Sequence, residues 1–370
     1  MKDSIISKLL FLLLFIPLVT LGASIEYNLT KILPPSGYDA CHVVAMNENG
    51  FVTGHLTSSD YPKMKHAFIW SGEEGMHIIK PSWWQNLIQN QQINVTGIND
   101  KNEIVGYLYI ESITCEWYPQ AFIWDEDQGI RMLDIYPGTP YSMANAINNK
   151  SQIVGIYKLP AWQLAEDKHL GFIWSENHGM QDLISYECVW NSPKWVGPEE
   201  ELLPSTIDDQ GNIFGRLTSC YHLFRLNSNA FVRWSIYGGA KLKCNNIGMI
   251  IYSHTNGKQA GYVHFYNDDI EVTQLEVSDK FIYCFDINDS KVMVGHSYSK
   301  ANKKFAFISD DHITPYGLPR KITILNSLIM CSDIDNFSSA NAINNKSQIA
   351  GDADYYGKQI GFLITPKNRK

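Results

Sequence analysis

Short apolar runs alternate with polar turns along almost the whole chain. None sustains the 3.6-residue period of an amphipathic helix. Residues 144–155 read ANAINNKSQIVG and residues 340–351 read ANAINNKSQIAG, which is eleven identities in twelve positions at a separation of 196 residues. Weaker copies are VAMNENGFVTG (44–54), TGINDKNEIVG (96–106), STIDDQGNIFG (205–215), KCNNIGMIIY (243–252) and FDINDSKVMVG (285–295). Their polar anchors are Asn47, Asn99, Asn148, Asp208, Asn245, Asn288 and Asn344, with spacings of 52, 49, 60, 37, 43 and 56, about 50 on average. A second block follows each copy: HAFIW at 66–70, QAFIW at 120–124, LGFIW at 170–174, NAFVRW at 229–234, AGYVHF at 260–265, FAFIS at 305–309 and GFLIT at 361–365. After several of these come a Gly turn and a third apolar run, as in SGEEGMHII (71–79).

Each unit therefore predicts four short strands: the ANAIN run (A), QIVGIY (B), AFIW (C) and the GMxDL run (D). They are rich in the Ile, Val, Phe and Trp that suit a pleated, half-buried surface. In the A–B connection, Asn or Asp accepts a turn N–H, and the third residue on needs φ > 0. Gly50 and Gly211 supply it, with Asn102, Ser151, Ser290 and Ser347 as replacements. Seven such units predict an all-β fold, a seven-bladed β-propeller of four-stranded blades. The last unit ends after its C strand, and an orphan strand, Ile25–Leu33, precedes the first A strand; that orphan completes the last blade and closes the ring. Blade 4 is the irregular one, with its C strand read at 229–234 and its D strand only around Ala240–Leu242, so six blades is the alternative.

The first residues follow a different pattern. MKDSIISK is followed by the apolar run Leu9–Leu21 and then by Gly22, Ala23 and Ser24. This is the pattern of a secretory signal, too short to span a bilayer comfortably. The chain thus reads as a signal peptide over 1–23 and a single propeller domain over 24–370, secreted or periplasmic, with no membrane insertion of the mature part. Seven cysteines occur without a C-x-x-C pair, which gives no support to zinc or thioredoxin-like chemistry. Cys188 and Cys220 are the favoured disulfide pair, with buried free thiols as the other reading.

The alternating I-N-x-x-G-x-I-V-G and H-A-F-I-W blocks resemble the extracellular HAF-repeat family over essentially the whole mature chain. The literal His66-Ala67-Phe68 occurs once; Gln120, Leu170 or Asn229 stands at the first position elsewhere. The resemblance implies an exported propeller-like protein and brings no catalytic residues with it.

With 45% hydrophobic residues, 18% charged and a net charge of −8, the chain can build a large core and lacks the basic stripe of a nucleic-acid binder. The A–B and C–D turns are short. The long connections (80–94, 109–119, 157–169, 185–204 and 318–338) all read as B–C or D–A, which gathers them on one face. Six tryptophans fall there: Trp83, Trp84, Trp117, Trp162, Trp190 and Trp195. Trp70, Trp124, Trp174 and Trp234 sit in strands read as C. The loop tryptophans either stack on a sugar or anchor a partner, or fold inward as caps. The positions one and three past the IVG glycine are mostly polar and vary between units: His55 and Thr57, Tyr107 and Tyr109, Ile156 and Lys158, Arg216 and Thr218, Ser253 and Thr255, His296 and Tyr298, Asp352 and Asp354. They form either a ligand ring, with Tyr107, Arg216, His55 and His296 as members, or solvated strand ends. Were Asp352, Asp354, His55, His296 and Arg216 to converge, they would make an acid–base cluster suited to a glycan hydrolase or lyase. No nucleophile elbow, zincin motif or phosphate loop occurs. The reading is a monomeric binding module for a carbohydrate or protein partner, without cofactor or metal. A polysaccharide-acting enzyme and a purely structural repeat protein are the alternatives.

Overall fold

The computed structural model describes residues 26–60, 65–81, 92–111, 117–134, 141–159, 169–183, 201–217, 222–226, 231–237, 242–253, 260–266, 269–275, 281–309, 321–329 and 331–367. They form seven four-stranded antiparallel sheets, each paired in the order A-B-C-D from the axis outward. The fold is a seven-bladed β-propeller, not six-bladed. Blade 1 runs Ala40–Met46, Val52–Thr57, Lys65–Ser71 and Gly75–Ile79. In blade 7, Asn336–Ile343, Ile349–Tyr355 and Lys358–Pro366 are joined by the N-terminal strand Tyr27–Ile32. That strand pairs from Tyr27 opposite Pro366 to Ile32 opposite Gly361, so the chain ends close the ring as the sequence predicts.

Three details differ from the sequence reading. Blade 4 has its C strand at His222–Leu226, and the segment read as C is its D strand, Phe231–Tyr237, which carries Trp234. Gly215 pairs with Phe224, not with Phe231, and this decides the register. In blade 6 the D strand, Ile322–Ile324, lies inside the segment 318–338 read as a loop, and a short helix, Leu325–Leu328, follows it before the next inner strand. In the A–B turn after Asn288 it is Lys291, not Ser290, that takes positive φ (66°), because the turn counts three residues from its Asn or Asp anchor in every blade.

The core consists of seven apolar clusters, one at each blade–blade joint. Strand alternation sends the two residues before the B-strand glycine to opposite joints. Ile153 packs back on blade 2 and Val154 forward on blade 4. Ile349 and Ala350 divide in the same way between blades 6 and 1.

The glycine itself is required by close approach. A Cβ on Gly54, Gly155 or Gly351 would lie 1.9–2.1 Å from a carbonyl oxygen of the adjoining A strand, where that strand carries a β-bulge. The AFIW aromatic then stacks over it: Gly54 pairs with Phe68, Gly106 with Phe122, Gly155 with Phe172, Gly295 with Phe307 and Gly351 with Phe362. Blade 5, whose repeat is decayed, exchanges the pair. Tyr252 takes the glycine position and Gly261 faces it.

A second sevenfold feature sits in the A–B turns. Each anchor accepts turn N–H groups through its Oδ1, as Asn148 does from Lys150 and Gln152. Its Nδ2 then donates to the anchor carbonyl of the next blade: Asn47 to Asn99, Asn99 to Asn148, Asn148 to Asp208, Asn245 to Asn288, Asn288 to Asn344 and Asn344 to Asn47, at 2.9–3.3 Å. The belt is broken between blades 4 and 5, because Asp208 has no side-chain N–H to give.

Asp208→Asn should restore that bond and raise stability by about 1 kcal/mol. The gain should be larger at neutral than at acidic pH, since burial already raises the Asp208 carboxyl and its ionised form is disfavoured in the fold. Urea denaturation at two pH values reads both effects. By the same reasoning Gly351→Ala should destabilise by more than about 3 kcal/mol.

Candidate functional site

The inner strands surround a cavity of about 500 Å³ that opens at the A–B turn end. Its rim carries one residue per blade just after each anchor: Glu48, Asp100, Asn149, Asp209, Asn246, Asp289 and Asn345. Rim neighbours bond to one another. Asp100 accepts from the Glu48 N–H at 2.9 Å, Asn149 from the Asp100 N–H at 2.8 Å, and Glu48 from the Asn345 N–H at 3.0 Å. Deeper, Ile156, Arg216, Lys243 and Asp286 line the wall.

The positions one past the B-strand glycine have a role that spacing does not reveal. Three of them cap a backbone N–H of the next blade's inner strand. His55 Nε2 accepts from Val95 N (2.8 Å), Ser253 Oγ from Cys284 N (2.7 Å) and Asp352 Oδ1 from Val43 N (2.7 Å). The bulge leaves that N–H outside the ladder, and an acceptor on the preceding blade satisfies it. Where the receiving residue is Pro204, which has no N–H, the preceding blade carries the apolar Ile156.

The five residues considered for acid–base work are spread over blades 1, 4, 6 and 7. His55 is buried between blades 1 and 2, and burial, with Lys65 and His42 nearby, holds its imidazole well below the usual range. His296 is packed among Tyr283, Phe285 and Tyr298, with ring centroids 5.0–5.3 Å away, and burial lowers it to about 4. Asp352 is sealed in the joint between blades 7 and 1, with Asn341 Nδ2 3.2 Å from its Oδ2; burial raises it to about 7. Asp354, on the same strand, lies 3.4 Å from Asn336 Nδ2. Arg216, in blade 4, faces the cavity.

Of the aromatic candidates, Trp83, Trp84, Trp162, Trp190 and Trp195 lie outside the described residues, as do Cys188 and Cys220. The described cysteines Cys41, Cys244, Cys284 and Cys331 are free thiols. Trp117 opens the C strand of blade 2 at 36% exposure. Trp70 and Trp174 are core residues, and Trp124 is half-buried against the joint between blades 1 and 2.

At the long-loop end of blades 2 and 3, half-buried rings gather: Tyr107 and Tyr109 with centroids 6.0 Å apart, and Tyr141 and His169 at 5.6 Å, with Lys158 Nζ 5.4 Å over the Tyr141 ring. Burial pushes the Tyr107 and Tyr141 phenols up, and the nearby Tyr109 adds to both. Tyr141, His169 and Lys158 were not marked by the repeat. They become neighbours of Tyr107 and Tyr109 only because adjacent blades meet there.

No protein-family model and no curated protein sequence matches the chain. Among solved structures it is similar to virginiamycin B lyase from Staphylococcus aureus, with TM-score 0.53, 9% identity, and 92% of this chain and 100% of that chain covered. It is similar also to YCF48 from Cyanidioschyzon merolae, with TM-score 0.51, 10% identity, and coverage of 92% and 99%. A third is the RRP9 WD40 repeat domain, with TM-score 0.52, 7% identity, and coverage of 93% and 99%. The likeness is one of fold. Among the described residues, no helix is long and apolar enough to cross a membrane, and no group of His, Cys, Asp or Glu is placed to hold a metal ion.

Asp352 makes stability depend on pH. Between its ordinary 3.8 and about 7 the folded carboxyl keeps a proton that the unfolded chain has released, so its contribution is lost as pH rises through that window. His55 and His296, depressed by burial, act oppositely, losing stability as pH falls below the ordinary 6.5. The difference between wild type and Asp352→Asn isolates the carboxyl. The variant should gain on wild type by up to about 4 kcal/mol between acidic and mildly alkaline pH. Equal slopes in urea titrations would count against the assignment.

Proposed function

We propose that this chain is an exported binding module of the extracellular HAF-repeat type that engages a carbohydrate through the long-loop end of blades 2 and 3. The observation that carries the reading is the Tyr107–Tyr109–Tyr141–His169 cluster with Lys158 above it and the exposed Trp117 on the same blade 2 sheet. Rings held half-buried present one face or edge at little entropic cost, and their phenol and imidazole edges offer hydrogen bonds to hydroxyl groups. A protein anchor uses the same residue types and is the competing occupant. Enzymatic action on glycans receives less support, because His55 and Asp352 already serve as acceptors for the N–H groups of neighbouring blades and His296 is enclosed by aromatic rings. Export rests on the segment preceding Ser24 and on the resemblance.

A glycan array probed with the mature protein, followed by calorimetry on any hit, tests this. Tyr109→Ala and Trp117→Ala should each weaken binding about tenfold with little change in melting temperature. Glycan binding unaffected by both substitutions would move the site elsewhere. No glycan binding, with peptide or protein capture that either substitution abolishes, would make the occupant a protein.

A further inference from the structure

The repeat is broken most at the joint between blades 4 and 5, and the breaks bring a guanidinium without a protein partner among the described residues to the cavity. Asp208 stands where the other anchors are Asn, and the belt is open there. Tyr252 replaces the glycine that elsewhere accommodates the bulge, and Gly261 stands opposite it. Arg216 occupies the position from which His55, Ser253 and Asp352 reach the next blade. A guanidinium has no acceptor atom and cannot make that bond. Arg216 lines the cavity instead, partly buried, and no hydrogen bond or salt bridge satisfies it among the described residues. Lys243 lines the same wall in a loose ion pair with Asp286, its Nζ 3.9 Å from Oδ1. The Asp286 carboxylate already accepts from the N–H groups of Ile343 (3.0 Å) and Ile287 (3.1 Å).

Such an arrangement is not explained by folding. No protein group among the described residues receives the guanidinium's five N–H donors, which leaves them available to a ligand in the cavity, and local rules fail most often where a site is built. The cavity, about 500 Å³, falls in the small-molecule range. Its rim narrows the choice. Glu48, Asp100, Asp209 and Asp289 place four carboxyl groups at the mouth and disfavour a polyanion. A planar guanidinium fork matches a planar carboxylate through two parallel hydrogen bonds.

We propose that the cavity binds a small ligand bearing one carboxylate, held by the Arg216 guanidinium with Lys243 as second cation. The site is separate from the aromatic cluster on the opposite face, and its test does not depend on that reading. A sugar acid and a peptide C-terminus offer the same group, so both are tested: glucuronate against glucose, and triglycine against triglycinamide, by calorimetry at millimolar concentration. At least one carboxylate probe should bind saturably, its neutral counterpart at least about tenfold more weakly. Glucuronate alone binding identifies a sugar acid, triglycine alone a peptide end. Arg216→Gln should abolish the difference while leaving the melting temperature unchanged, since the fold makes no bond to that guanidinium, and Arg216→Lys should retain part of it. The proposal is overturned if neither carboxylate binds, if acid and neutral probes bind alike, or if Arg216→Gln binds as the wild type does. The acid–neutral comparison is made on the unmodified protein, so it decides the matter even if a variant proves unstable.

Discussion

The contact between a missing side chain and an aromatic ring organises every blade except the fifth. The B-strand glycine lets the inner strand bulge against it to a distance that no Cβ permits, and the ring from the C strand covers the bare backbone on the far side. The bulge bends the inner strand, directs successive residues to the two flanking joints and frees one backbone N–H for the preceding blade to receive. Blade 5 shows that the pair is the unit. With Tyr252 and Gly261 exchanged, ring and glycine still face each other across the same pair of strands.

Around this unit, polar side chains act chiefly as connectors. The anchor amides join turn to turn, the acceptors on strand B join blade to blade, and the strand from Tyr27 to Ile32 joins the two ends. A ring of sheets has few backbone hydrogen bonds between blades, so its polar joints rest on side chains while burial at seven apolar clusters supplies most of the stability. The result constrains function. A titratable residue held between two blades and depressed or raised by burial is poorly placed to exchange protons with a substrate, which separates the buried His55, His296 and Asp352 from Arg216 and from the half-exposed tyrosines.

The blade count and the closing strand were legible because a repeated pattern reports its own period, and because a unit short of one strand beside a spare strand has an obvious completion. The reading failed where two blades drift from the pattern. Phe231 of NAFVRW imitates Phe224 in local composition, and only the register against Gly215 separates them. Ser290 and Lys291 are adjacent, and composition favours the serine; the count from Asn288 selects the lysine.

Local sequence determined the strands, the turns and the repeat, since hydrophobic alternation, Asn-led turns and obligatory glycines act over a few residues. What those strands do with their polar ends was decided by tertiary structure alone. His55, Arg216 and Asp352 occupy one position in the repeat. One becomes a buried acceptor, one an unpaired cation on a cavity wall and one a proton-holding carboxyl in the closing joint. The difference lies in the partner each meets on the neighbouring blade, some forty to sixty residues away or across the chain ends, and no local pattern encodes a contact made at that distance.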